Sequence, residues 1–126
     1  MKKLITTLTL LLMFSSPSYA EWEIVAKDMD GNTFYVDFDR IRKVDGFVYF
    51  WELVDFVKPT QYGEFSFREY LQGDCKLFRF KVLTEVYYKQ SMGRGTSSEH
   101  TQKNPKWHYP RPVSVVESIL KKVCSR

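Results

Sequence analysis

Residues 77–88 read Leu-Phe-Arg-Phe-Lys-Val-Leu-Thr-Glu-Val-Tyr-Tyr, and this stretch decides the fold. One set of alternate residues is expected on a single side of a strand: Phe78, Phe80, Val82, Thr84, Val86 and Tyr88. The other set, Leu77 to Tyr87, is mostly polar. Such alternation is typical of an antiparallel strand with one buried face and one face in water. The stretch therefore predicts an antiparallel sheet.

Shorter strand candidates precede this stretch and are separated by turn signals. They span residues 22–27, 33–38, 47–56 and 64–71, and residues 39–43 are polar and turn-like. Gly31-Asn32 and Asp45-Gly46 are typical of tight hairpin turns, which need positive φ values. The sequence thus predicts a run of antiparallel hairpins.

The last element has a different period. Val113, Val116, Leu120 and Val123 recur at helical spacing, and Ser114 with Glu117 forms a capping box. We therefore predict the α+β class: a twisted antiparallel β-sheet of about five or six strands, one C-terminal α-helix packed on it, and one disulfide.

The N-terminal segment, residues 1–20, has the layout of a secretory signal peptide. Lys2 and Lys3 precede an apolar run over 4–14, and Ser18-Tyr19-Ala20 is a small-residue cleavage signal. The run is too short to span a hydrocarbon core of ~30 Å. We expect a mature single domain over 21–126, periplasmic or secreted after cleavage near Ala20-Glu21.

The predicted export indicates the chemical state of the two cysteines. Cys75 and Cys124 allow a single pairing, and an oxidising compartment favours a disulfide over a metal site or a catalytic thiol. Closing a loop of roughly 50 residues stabilises by about 4 kcal/mol in the chain-entropy model. We expect the bond to tie the end of the helix to the start of the long strand.

Charge is distributed unevenly along the chain. Residues 21–74 contain six Lys/Arg and twelve Asp/Glu, whereas residues 75–126 contain eleven Lys/Arg and three Asp/Glu. A basic face for an acidic partner is one interpretation. The favoured one is that strands of the two halves alternate in space and their charges cancel. A role in nucleic-acid binding is not expected in an exported protein.

Residues typical of catalysis or metal binding are few. His100 and His108, with Glu99, lack the spacing of a metal site, and the pairs Glu64/Glu69 and Asp37/Asp39 are expected to be ordinary solvated carboxylates. We therefore expect no catalytic residues, no metal and no cofactor.

The segment 89–111 is the best candidate for binding. We expect a loop there, with six candidate contact residues: Arg94, Lys103, Lys106, Trp107, Tyr109 and Arg111. Long loops on a rigid sheet are common recognition sites, and Arg, Trp and Tyr anchor interfaces. The competing interpretation is that Trp107 and Tyr109 pack under the helix as core.

The chain resembles the surface-adhesin protein E family of small exported bacterial domains. The resemblance rests on Trp22, residues 31–37, 41–43, Val48-Tyr49-x-Trp51, Asp55, Lys58-Pro59, Asp74-Cys75-Lys76, Arg79, Met92-Gly93-x-Gly95, Trp107, and Ser114 leading to Val123-Cys124. It implies an antiparallel sheet, a packed C-terminal helix and an internal disulfide. It also implies an adhesin-like binding function, with laminin and vitronectin as partners.

One position departs from the family pattern. The adhesin resembles lipoproteins with a lipid-bearing cysteine after the signal, whereas Glu21 follows Ala20 here and residues 1–74 contain no cysteine. We expect no lipid anchor and no transmembrane segment. The main functional prediction is a non-enzymatic protein-binding domain. The alternatives are a periplasmic inhibitor or accessory factor of an envelope enzyme such as lysozyme, and an unrecognised enzyme.

Overall fold

Seven antiparallel strands form one sheet in the computed structural model, which describes residues 21–126. The strands are β1 (Glu23–Lys27), β2 (Thr33–Val36), β3 (Arg42–Val44), β4 (Phe47–Asp55), β5 (Ser66–Asp74), β6 (Arg79–Gln90) and β7 (Arg94–Thr101). Helix α1 (Val115–Cys124) follows the last strand. The predicted fold class is confirmed, with more strands than expected. The predicted signal peptide, 1–20, lies outside the described residues.

Strand order follows the chain, β1-β2-β4-β5-β6-β7, with β3 pairing along part of β4. The acidic first half therefore supplies β1 to β5, and the basic second half supplies β6 and β7 beside them. The expectation that strands of the two halves alternate in space is wrong. Sequential hairpins keep the halves of the chain on separate sides of the sheet.

Both predicted hairpin turns are present. Asp45 and Gly46 have φ values of 52° and 83°, the left-handed pair that a two-residue hairpin requires. In the β1–β2 turn only Gly31 has positive φ, at 89°. The side chain of Asn32 donates instead to Asp28 Oδ2 at 3.0 Å, so a side-chain hydrogen bond completes that turn.

Two strands lie where the sequence predicted turn or loop. The strand β3 falls in and just beyond the segment 39–43, after a 3₁₀ turn at Phe38–Arg40. The strand β7 falls in the segment predicted as a loop, and all eight of its residues are exposed. Neither strand buries a face, so neither carries the apolar alternation that predicts strands from sequence.

Helix α1 begins as its sequence predicts. Ser114 is its N-cap, and the Ser114 hydroxyl accepts from the Glu117 backbone N–H at 3.1 Å. The helix buries Ile119, Leu120 and Val123. Val113, predicted to lie on this apolar face, is 96 % exposed, because it precedes the N-cap with a φ of 60°.

The core lies between α1 and one face of the sheet. Val25, Val36, Val48, Phe50 and Leu71 contribute the sheet side. The predicted disulfide is confirmed: Cys75, in the β5–β6 turn, is bonded to Cys124 at the end of α1. The last helical turn is thus covalently attached to the sheet.

A β-bulge in β6 gives the sheet two different faces. Tyr70 pairs with Thr84 and Leu71 with Val82, which leaves Leu83 unpaired. Phe80 and Val82 consequently face α1, while the residues from Thr84 onward switch sides. The prediction of one continuous apolar face is wrong, and so is the inclusion of Phe78, which lies in the turn before β6 with a φ of 52°.

Within residues 21–126, no helix is both long and apolar enough to cross a membrane.

Candidate functional site

The side of the sheet opposite α1, here called the open face, carries the candidate site. In antiparallel strands, directly paired residues share a face. Pairing of β4, β5 and β6 therefore places eight side chains together on the open face: Phe47, Tyr49, Trp51, Arg68, Tyr70, Gln72, Arg79 and Lys81. All eight are half-buried. Aromatic rings and cations thus cover the middle of this face.

The residues after Gln90 cover one end of the open face. The second 3₁₀ turn, Ser91–Gly93, crosses over Leu53 and Tyr88. The Gly93 N–H donates to Ser66 Oγ at 2.9 Å, and the Met92 N–H donates to Asp55 Oδ1 at 2.9 Å. Leu53 and Ser66 are consequently fully buried.

Trp107 covers the other end, forming the Trp107 cluster with Phe47, Arg79 and Lys81. Its ring stacks on Phe47 with centroids 5.7 Å apart. The Arg79 guanidinium carbon lies 4.2 Å from the indole centroid, and the Lys81 Nζ lies 4.4 Å from it. Contacts of this kind are cation–π interactions, which strengthen when water is excluded.

The residues beside the Trp107 cluster fix its geometry. Asp74 Oδ2 accepts from Arg79 Nε at 2.9 Å. Burial alone raises the pKa of Asp74, but donors from Leu77, Arg79 and Lys76 outweigh it and hold that pKa below its usual value. His108 exchanges two backbone hydrogen bonds with Phe80, at 2.9 and 2.8 Å, so the segment holding Trp107 is paired to β6.

A second group on the open face, here called the Arg68 cluster, joins Arg68 to Trp51 and Tyr70. The Arg68 guanidinium carbon lies 4.4 Å from the Trp51 centroid and 5.8 Å from the Tyr88 centroid. Trp51 and Tyr70 stack at 4.8 Å, and Tyr49 continues the row at 6.2 Å from Tyr70. The buried Nε of Arg68 has no hydrogen-bond partner among the described residues.

The structure brings some of the predicted binding residues together and separates others. Trp107 and Tyr109 both contact Arg79, and Tyr109 is 65 % exposed. The interpretation that these two rings pack under the helix as core is wrong. Trp107 lies on the face opposite α1, and Tyr109 lines a groove beside the start of α1 but is mostly exposed. Arg94 pairs with Gln90, ten positions along β6 from the Phe80–His108 bridge, and is thus roughly 33 Å away along the strand.

The remaining predicted residues lie outside the Trp107 cluster. Lys103 and Lys106 are exposed in the turn between β7 and Trp107. Arg111 lines a shallow, mainly apolar groove of ≈ 420 Å³ between β6 and the start of α1. The six predicted residues therefore do not form a single loop surface, and their joint role in binding stays a prediction.

Sequence reasoning missed the contribution of the strands. Phe47, Trp51, Arg68 and Lys81 come from three different strands and meet only through their register. The alternation of residues 47–56 is a signal that can place Tyr49 and Trp51 on one side of a strand. It could not place Arg68 beside them.

The helix side of the sheet holds an unusual row of three glutamates. Glu52 pairs with Glu69, and Glu69 pairs with Glu85. Burial, followed by the charge of Glu69, raises the pKa of Glu52 well above its usual value. Burial, followed by the charge of Glu85, raises the pKa of Glu69 to about 7. Protonation limits the repulsion within this row.

No group of three or more His, Cys, Asp or Glu side chains within residues 21–126 is arranged to hold a metal ion. His100 pairs with Glu85 across β6 and β7, whereas His108 contacts Phe80 with ring centroids 5.6 Å apart. The two histidines that the sequence analysis compared with a metal site therefore lie in different surroundings.

Comparison with known proteins identifies the family. Residues 22–125 match the family model of surface-adhesin protein E. One crystal form of Haemophilus influenzae protein E superposes with a TM-score of 0.62 at 18 % identity, covering 85 % of this chain and 89 % of that chain. Protein E from non-typeable Haemophilus influenzae gives 0.62 at 15 % identity, covering 87 % and 79 %. No curated protein sequence matches significantly. This chain belongs to the surface-adhesin protein E family.

Proposed function

We propose that this chain is an exported domain that binds a protein partner non-covalently, with the Trp107 cluster as its central contact. The observation that carries the proposal is a half-buried indole stacked on Phe47 and contacted by two cations at 4.2 and 4.4 Å. Trp, Tyr and Arg are the residue types that dominate the binding energy of protein interfaces. The exposed ring of Tyr109 extends this surface.

Contacts within the chain hold the cluster in place without a partner. Asp74 holds Arg79, and the backbone pairing of His108 with Phe80 holds the neighbouring Trp107. Ordering a mobile side chain costs about 0.5–1.5 kcal/mol during association, and a fixed cluster avoids most of that cost. Rigid aromatic anchors of this kind support recognition of a partner surface.

The family description as a surface adhesin supports a protein as the partner. Laminin and vitronectin, which the family resemblance implies, are the first candidates. The predicted signal peptide, residues 1–20, agrees with a partner met in the periplasm or outside the cell.

The test compares Trp107→Ala and Trp107→Phe with Tyr62→Ala, a control at a 71 % exposed aromatic residue outside the cluster. The full chain is expressed with its own N-terminal segment and purified in oxidised form. Binding to immobilised laminin, vitronectin and lysozyme is then measured by surface plasmon resonance. Circular dichroism melting shows whether each variant is folded.

We expect Trp107→Ala to weaken matrix-protein binding by about 30-fold or more, the equivalent of ~2 kcal/mol for a central anchor. Trp107→Phe keeps part of the ring and should lose less, and Tyr62→Ala should change little. Unchanged binding by folded Trp107→Ala would contradict the proposal. Binding to lysozyme alone would favour the inhibitor alternative.

A further inference from the structure

We infer that the open face binds an extended peptide segment that carries two carboxylates with an apolar side chain between them. One carboxylate pairs with Arg68, the other pairs with Lys81, and the apolar side chain lies against Trp51 and Tyr70. This inference rests on the proposed function, because it names the chemistry of the protein segment that the open face recognises.

The first step concerns cations without acidic partners. Arg68 lies 4.4 Å from the Trp51 centroid, and Lys81 lies 4.4 Å from the Trp107 centroid. Neither forms an ion pair with another described residue, whereas Arg79 is already paired with Asp74 at 2.9 Å. Arg68 and Lys81 are therefore the cations that β5 and β6 present on this face with their charge left for a partner.

The second step concerns the carboxylates of the sheet. Glu52, Glu69 and Glu85 lie on the helix side, where they cannot neutralise the open face. Glu99 is paired with Val86 on the exposed edge strand, two strands from Arg68, and no ion pair joins it to Arg68 in the described chain. Asp74, at one end of the open face, is paired with Arg79, and Asp55, at the other end, accepts from the Met92 N–H. Between these ends no carboxylate of the described residues is paired with Arg68 or Lys81, which favours an anionic partner.

The third step is spacing. Arg68 is paired with Val86 and Lys81 with Gln72, so their levels lie four residues apart along β5, or roughly 13 Å. Residues i and i+4 of an extended peptide are also roughly 13 Å apart, and they share a side with residue i+2. Tyr70 lies midway between the two levels, so residue i+2 meets its ring.

The density of charge favours a peptide over a polyanion. Nucleic acids carry a charge every few ångströms, and their affinity comes from many basic contacts. The middle of the open face offers Arg68 and Lys81 at levels about 13 Å apart, with aromatic rings between them. Aromatic anchors with few charge pairs are typical of protein–protein interfaces.

The experiment uses a capped seven-residue peptide with glutamate at its second and sixth positions, phenylalanine at its fourth and threonine at the other inner positions. A matched peptide replaces both glutamates with glutamine. A heparin-derived tetrasaccharide represents the polyanions. Each probe is titrated into the ¹⁵N-labelled full chain, and backbone amide shifts are followed by NMR.

Three variants accompany the wild type. Arg68→Gln removes the charge, and Arg68→Lys keeps it on a different side chain. Lys58→Gln is the control, because Lys58 is an exposed cation in the β4–β5 connection, away from the open face. The matched peptides test the inference on the wild type alone, should an Arg68 variant fold poorly.

We expect the diglutamate peptide to shift amides of β4, β5 and β6, and the diglutamine peptide to bind about tenfold more weakly or worse. Arg68→Gln should weaken binding by a similar factor, Arg68→Lys should lose less, and Lys58→Gln should match the wild type. No shifts at millimolar peptide, equal binding of the two peptides, or tighter binding of the tetrasaccharide to the same residues would overturn the inference.

The two proposals can fail separately. If Trp107→Ala loses matrix-protein binding while the diglutamate peptide does not bind, the peptide inference fails and the proposed function stands. If the peptide maps to the open face while folded Trp107→Ala binds the matrix proteins normally, the assignment of the Trp107 cluster as central contact fails.

Discussion

Glu69 lies in surroundings that do not suit its charge. It lies between Glu52 and Glu85 on neighbouring strands, and directly opposed like charges destabilise a sheet. Its pKa is raised to about 7, first by burial and then by the charge of Glu85. Ionisation of Glu69 therefore destabilises the folded state, and this destabilisation depends on pH.

The sign of the dependence follows from the two pKa values. Between about 4.5, the usual value, and about 7, the folded chain holds a proton that the unfolded chain has released. The contribution of protonated Glu69 to the free energy of unfolding is therefore fully present below pH 4.5 and is lost as the pH rises through 7. The full effect of this one group is about 3 kcal/mol.

We predict that Glu69→Gln removes this loss. Urea unfolding should give similar free energies for variant and wild type near pH 4.5, and a variant more stable by up to about 3 kcal/mol at pH 8. Glu99→Gln, at an exposed glutamate of β7, should show no such pH-dependent gain. A constant difference between Glu69→Gln and wild type across this pH range would contradict the assignment.

At the scale of elements, β6 shows how far alternation predicts a sheet. The sequence located this strand to within two residues at each end, because its apolar period is clear. It could not reveal the bulge at Leu83, which continues the alternation without any break in composition. A bulge moves the side chain of every later residue to the opposite face of the sheet. The strand itself was therefore predicted correctly, but the face of its residues from Thr84 onward was not.

The candidate site was predictable to a similar extent. Trp107 was recognised from its residue type, and its position on the chain needed no tertiary information. Its partners Phe47 and Arg79, and the whole Arg68 cluster, depend on the register between strands. Register is fixed by packing of the entire sheet, and spacing along one chain does not contain it.

Gly73 lies at a close contact between helix and sheet. A Cβ atom added there would lie 2.8 Å from Val48 Cγ2 and 3.0 Å from Leu120 Cδ1, which is closer than side chains pack. The absence of a side chain on this β5 residue therefore determines how near α1 can lie.

We predict that Gly73→Ala destabilises the chain by about 1–3 kcal/mol, the usual cost of overpacking a core. Gln72→Ala is the matched control, since Gln72 is the preceding residue of β5 and lies on the open face. Denaturant unfolding measures both variants. A Gly73→Ala variant as stable as wild type would show that α1 can shift outward without loss of packing.

For the whole molecule, the sheet separates two tasks. One side packs α1 and its buried residues, including Ile119 and Val123, and is secured by the disulfide. The opposite side holds the Trp107 and Arg68 clusters, whose contacts come from strands and from the segment after β7. We therefore expect loss of the contacts to α1 to change stability while leaving the proposed recognition clusters in place.

This separation predicts how the chain responds to loss of its disulfide. Replacing both Cys75 and Cys124 with alanine frees a closed loop whose ends are 49 residues apart, which costs about 4 kcal/mol in the chain-entropy model. The buried face of α1 still holds the helix on the sheet, so the variant should fold at low temperature and melt at a lower temperature than wild type.

The clusters do not contact α1, and binding of laminin or the diglutamate peptide by the folded variant should stay within about twofold of wild type. Unfolding is measured in urea and binding well below the melting temperature, with chemically reduced wild type as the control. A folded variant that has lost binding would show that the helix and the open face are coupled through the sheet, because the disulfide itself touches neither cluster.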